Sequence, residues 1–124
     1  MFKSNTEVRA TQIRLGRQRA DGSQEVSSVL NILSWEEEGK TMVHCIELDI
    51  AASGASQQEA LHELAVLLTH QIEFAEQNKL EIWHPAPDEY WEKLREIQMN
   101  RLKQLHLSNP ARFKREVERE LAHA

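Results

Sequence analysis

The chain has 124 residues, 40 % of them hydrophobic and 28 % charged, with a formal net charge of −5. That suits one domain with room for an appendage; no apolar run reaches the roughly 18 residues of a transmembrane helix, and residues 1–7 lack the apolar stretch of a secretory signal. A lone cysteine, Cys45, excludes an intramolecular disulfide and fits a reducing compartment, so a cytoplasmic location is expected.

Residues 1–10 have no clear period. Residues 11–19 alternate in part, with Ile13 and Leu15 two apart, and Ala20-Asp21-Gly22-Ser23 is a turn signal. Residues 25–35, with Val26, Val29, Leu30, Ile32 and Leu33, read as a strand. The charged turn Glu36-Glu37-Glu38-Gly39-Lys40 follows, then the clearest strand, residues 41–50. There Met42, His44, Ile46, Leu48 and Ile50 share one face, and Val43, Cys45, Glu47 and Asp49 share the other. Ser56 caps a helix running to about Gln77, with Glu59 reaching back as in a capping box. Its stripe of Leu61, Leu64, Ala65, Leu68, Ile72 and Ala75 suits the even-numbered face of 42–50, and Asn78 is the expected left-handed terminator. Leu80-Glu81-Ile82-Trp83-His84 alternates like a short edge strand stopped by Pro85 and Pro87. Asp88 caps a helix over 89–106, with apolar Tyr90, Trp91, Leu94, Ile97, Met99, Leu102 and Leu105. Ser108 or Asn109 caps a last helix, where Pro110 sits in the first turn and Phe113, Val117 and Leu121 repeat every four residues.

The expected fold is therefore α+β: an antiparallel three- to four-stranded meander with one long helix packed on a face, plus C-terminal helices. Three segments follow: an N-terminal extension with a first strand (1–28), a sheet-helix domain (29–84) and a C-terminal helical extension (85–124). Exposed sheet edges favour self-association through strands or helices.

Val43-His44-Cys45-Ile46-Glu47-Leu48-Asp49-Ile50 followed by Gly54, Ser56, Glu59 and Ala60 resembles the HicB-like family of antitoxin domains, as does the preceding apolar strand and acidic, Gly-containing turn over 30–39. The resemblance covers roughly residues 29–84. It implies a three-stranded antiparallel sheet with a helix on one face, assembly into dimers or tetramers, and either neutralisation of a HicA-like, small RNA-cleaving toxin or an orphan relative without one. The chain departs from the family in its N-terminal extension and in C-terminal helices that show neither a recognition helix nor a ribbon-helix-helix pattern.

Charge is unevenly spread: net +2 over residues 1–28, −8 over 29–87 and +1 over 88–124. An acidic centre favours basic partners. Glu36, Glu37, Glu38, Glu47 and Asp49 are expected to form a solvent-facing or partner-facing acidic patch, in preference to a paired-carboxylate hydrolase site. Trp83, Tyr90 and Trp91 form either a satellite core or an interface anchor. Cys45 reads as a small packed or interface residue rather than a nucleophile, because alternation turns His44 away from it. His62 and His70 are too far apart for one metal ion and can instead pair with Glu59 and Glu73. The expected function is a non-catalytic protein-binding module with no metal or cofactor. The alternative is a nucleic-acid-binding regulator using Arg14, Arg17 and Arg19, or Arg112, Lys114, Arg115 and Arg119.

Overall fold

A computed structural model describes residues 2–3 and 5–122; the side chains of residues 15–18, 24–27, 105–108 and 113, among them those of Leu15, Arg17, Val26, Leu105 and Phe113, lie outside the described residues. The fold is α+β. Four antiparallel strands, β1 (Arg9–Gln18), β2 (Gln24–Glu37), β3 (Lys40–Cys45) and β4 (Ile50–Gly54), lie in sheet order β1-β2-β3-β4. Three helices follow: α1 (Gln57–Asn78), α2 (Asp88–Ser108) and α3 (Pro110–Ala122).

Each hairpin follows from its turn residues. At the first, the Asp21 carboxylate accepts from the Ser23 amide at 2.9 Å and Gly22 takes φ +88°. At the second, Glu37 pairs with Lys40, leaving a two-residue loop in which Glu38 (φ 52°) and Gly39 (φ 79°) are both left-handed. That conformation matches the twist of the flanking strands.

The expected strand over 41–50 is divided. β3 stops at Cys45, residues 46–49 form a turn with Asp49 at φ 54°, and Ile50 pairs back onto Cys45 to start β4. The alternation of 41–50 thus carries through a chain reversal, and Ile46 and Leu48 go to opposite faces of the sheet. Residues 80–84 form no strand; the fourth strand is β4. The 80–87 segment instead straps the 46–49 turn, with the His84 amide donating to the Glu47 carbonyl at 3.1 Å and the Ala86 amide to the Ile46 carbonyl at 2.8 Å.

Both sheet faces are covered. α1 packs on the odd-numbered face of β3, not the even one: Leu64, Leu68 and Ala60 meet Leu30, Ile32, Val43, Cys45 and Leu48. Ala65, expected in its stripe, is exposed. The opposite face buries Leu33, Trp35 and Ile46 under Ala86 and Leu94, with Met42, Ala10 and Phe2 packed around them. Arg101 on α2 donates to the Ala10 carbonyl at 2.8 Å, tying that helix to β1.

Capping chemistry sets the helix bounds. The Ser56 hydroxyl accepts from the Glu59 amide at 3.2 Å, while the Glu59 carboxylate reaches back to the Ala55 amide, one residue before the cap. At the other end Lys79, not Asn78, takes the left-handed conformation. Its amide and that of Leu80 close on Glu76 and Ala75, and Asn78 caps the Phe74 carbonyl with its side chain. Asn109 accepts from the Arg112 amide at 3.0 Å to start α3.

Candidate functional site

The second sheet face carries a pocket at the mouth of the β2–β3 hairpin. The alternation of β2 sends Leu33 and Trp35 to this face, and α2 brings Tyr90 over it in its first turn. Phe2, from a stretch with no sequence periodicity, closes the third side. Phe2 stands edge-on to Trp35 (centroids 4.9 Å apart, 89°) and to Tyr90 (5.5 Å, 83°), while Trp35 and Tyr90 lie 6.5 Å apart at 43°. Beside this cluster is a cavity of about 270 Å³ whose remaining wall is Glu36, Glu37 and Glu38, with Lys3 and Thr6 also lining it.

The three glutamates are held differently. Glu36 accepts from the Thr41 hydroxyl at 2.9 Å and stands 3.7 Å from Arg9. Glu37 accepts from the Trp35 indole at 3.2 Å, which locks the ring to the hairpin. Glu38 occupies the left-handed tip and is exposed. Negative charge converges on this end of α2: burial pushes the Tyr90 phenol up, and the carboxylates of Glu89, Asp49 and Glu37 push it the same way.

Below the pocket, His44 is buried. Its Nε2 lies 2.7 Å from an Asp49 carboxylate oxygen, and its ring packs 4.4 Å from Tyr90. The tie fixes Asp49 in its left-handed turn conformation.

The expected acidic patch is therefore split. Glu36, Glu37 and Glu38 are exposed together. Glu47, expected on a solvent-facing strand surface with Cys45 and Asp49, is only 7 % exposed. Its two carboxylate oxygens accept from the backbone amide (2.7 Å) and side-chain amide (2.8 Å) of Asn31. The chain reversal at 46–49 takes Glu47 and Asp49 off the strand pattern, so Asp49 turns to His44 and neither shares a face with Cys45.

The aromatic trio is split as well. Trp83 is 54 % exposed, with its ring 6.3 Å from Trp91; the Trp91 indole donates to the Ala86 carbonyl at 3.1 Å. Tyr90 belongs to the pocket. Phe2 and Trp35, which complete that pocket, were not singled out from the sequence; only the β2 alternation hinted that Trp35 faces inward with Leu33.

Cys45 is 0 % exposed, and burial pushes its thiol up, the reverse of an activated nucleophile. His44 faces the opposite sheet surface, as alternation requires. His62 and His70 are exposed along one shallow groove of α1 with Val66. Among the described residues neither pairs with Glu59 or Glu73, and no group of three His, Cys, Asp or Glu side chains is placed to share a metal ion. Among those residues, too, no helix is long and apolar enough to cross a membrane. Arg112, Arg115 and Arg119 line one shallow depression on α3 with Glu116, which pairs with Arg112 at 3.1 Å. Arg14 is exposed on β1.

No family model, curated protein or solved structure matches the chain.

Proposed function

We propose that this chain is a non-catalytic protein-binding module of the HicB-like kind, acting in the cytoplasm as a homo-oligomer on a small basic partner. A HicA-like RNA-cleaving toxin is the partner class that the resemblance implies; an orphan relative bound to some other basic protein is its close variant. The observation that carries the reading is the exposed hairpin tip of Glu36, Glu37 and Glu38 beside an open aromatic pocket. Acidic groups at a rim steer a basic partner, and aromatic side chains at the centre supply the anchoring contacts. The order of elements adds support: strand, acidic Gly turn, strand, reversal, then Gly54 leading into a Ser56-capped helix.

The test is a pull-down of tagged protein from its own host, with native mass spectrometry of the eluate, run beside a variant carrying Glu36→Lys, Glu37→Lys and Glu38→Lys. A stoichiometric small basic protein retained by the parent chain and lost from the variant is the expected result. A homo-oligomer with nothing bound, or a partner that ignores the charge reversal, refutes the reading.

A second reading, nucleic-acid regulation, has one specific observation in its favour: Arg112, Arg115 and Arg119 share a face of α3. Three phosphate contacts predict that affinity for an oligonucleotide falls with salt on a log–log slope of about −2 to −3. A flat salt profile removes this reading.

A further inference from the structure

We propose that the cavity lined by Phe2, Trp35, Tyr90 and the glutamates of the β2–β3 hairpin binds an organic cation on an aliphatic stem: the ammonium group of a lysine, or of its N-methylated forms, presented by the basic partner. The proposal rests on the partner-binding reading above and adds the chemical group that the pocket takes.

Size is the first argument. At about 270 Å³ the cavity falls just below the roughly 300–1,000 Å³ of pockets for drug-sized ligands, and it suits a single side chain. Its lining is the second. Trp, Tyr and Phe faces attract cations lying within about 6 Å of the ring centroid. Here the three rings pack into one cluster, centroids 4.9, 5.5 and 6.5 Å apart, which forms a single aromatic wall of the cavity.

Charge is the third argument. Glu36, Glu37 and Glu38 wall the cavity, and among the described residues that line it Lys3 is the one cation. Glu36 is already engaged by Thr41 and Arg9, and Glu37 by the Trp35 indole. Glu38 has no cation within ion-pair distance among the described residues. A carboxylate ligand would meet repulsion from this acidic wall, and a neutral apolar group would leave the wall unused. Rigidity is the fourth. Trp35 is only 9 % exposed and its indole is tethered to Glu37, while Tyr90 is backed by His44 at 4.4 Å. Trp35 and Tyr90 are therefore held in place before any ligand arrives, which lowers the ordering cost of binding.

Lys3 is the chain's own competitor. It lines the cavity, and among the described residues it forms no ion pair with the glutamates. Its positive charge lowers the pull on an incoming cation, so its removal strengthens binding.

The experiment is an NMR titration of isotopically labelled full-length protein with three blocked amino acids: Nα-acetyl-lysine amide, Nα-acetyl-trimethyllysine amide and the neutral Nα-acetyl-norleucine amide. The expected result is a saturable, millimolar shift of the Trp35 indole signal with the two cations, little movement of the Trp83 and Trp91 indoles, and no response to norleucine. The relative size of the two responses tells lysine from its methylated form. The double variant Glu37→Gln, Glu38→Gln, whose residues are exposed, weakens cation binding about fivefold or more. Lys3→Ala tightens it about two- to threefold. A Trp35 signal that ignores both cations, or that follows norleucine equally, overturns the proposal, as does a double variant with unchanged affinity. The two readings fail separately. A partner retained by the acidic hairpin while Trp35 ignores the cations leaves partner binding standing and removes the cation pocket. Cation binding without any retained partner does the reverse.

Discussion

Gly54 has no room for a side chain. A Cβ there would stand 2.6 Å from the Ala60 backbone nitrogen and 3.0 Å from Glu59, both in the first turn of α1. The short strand β4 and the helix after it therefore pack backbone against backbone, and glycine is required by space rather than by φ. Gly54→Ala is expected to destabilise the fold by about 1–3 kcal/mol, read as a lower urea midpoint at unchanged slope. An unchanged midpoint would show that α1 shifts away freely. Glu47 makes a comparable point in polar terms. Its sequence setting, flanked by Ile46 and Leu48, looks like a strand with one solvent face. Only the approach of Asn31 reveals a buried carboxylate that satisfies two amide donors at once.

Among the elements, α1 and α3 are opposites. α1 buries Ala60, Leu64, Leu68 and Ala75, and both its ends are capped, so tertiary packing and local chemistry agree. α3 is thirteen residues long, packs chiefly on α2, and leaves Val117 and Leu121 exposed, the latter at 70 %. A helix that short draws most of its stability from packing, and here little is provided. Ending the chain at residue 109 is expected to move the melting temperature by no more than a few degrees, and amide exchange in α3 to run far faster than in α1. Protection in α3 equal to that in α1 would refute this.

For the whole molecule, the decisive feature is that both sheet faces are used: α1 covers one, and α2 with the 80–87 strap covers the other. Each core holds a group that burial pushes up: the Cys45 thiol under α1 and the Tyr90 phenol under α2. For both, the folded state holds its proton to higher pH than the unfolded chain does. Their contribution is intact below the ordinary thiol value of about 9.0 and is lost as pH rises through the folded-state values. Unfolding free energy is therefore expected to drop above about pH 9, and Cys45→Ala to remove the thiol's share of that drop; denaturant titrations at pH 8 and pH 10.5 measure both. An equal slope in the variant would assign the alkaline loss elsewhere.

Read alone, the sequence determined the first two antiparallel hairpins, the extent of the long helix to within a residue or two, and the two C-terminal helices. Each of these is written in short-range chemistry: Asp-Gly and Glu-Gly turns, the Ser56 cap, Pro110 and the apolar spacing of α1. It also pointed to Glu36, Glu37, Glu38 and Tyr90, whose exposure and aromatic character need no partner to be recognised. Tertiary structure alone decided the rest. Ile46-Glu47-Leu48-Asp49 alternates equally well as strand or turn, and the left-handed Asp49 held by His44 selects the turn. That choice reverses the chain into β4, hands the odd face of β3 to α1 and leaves the even face to α2. The aromatic pocket then follows from contacts across 88 residues of chain, Phe2 to Tyr90, which a periodicity confined to neighbouring positions cannot carry.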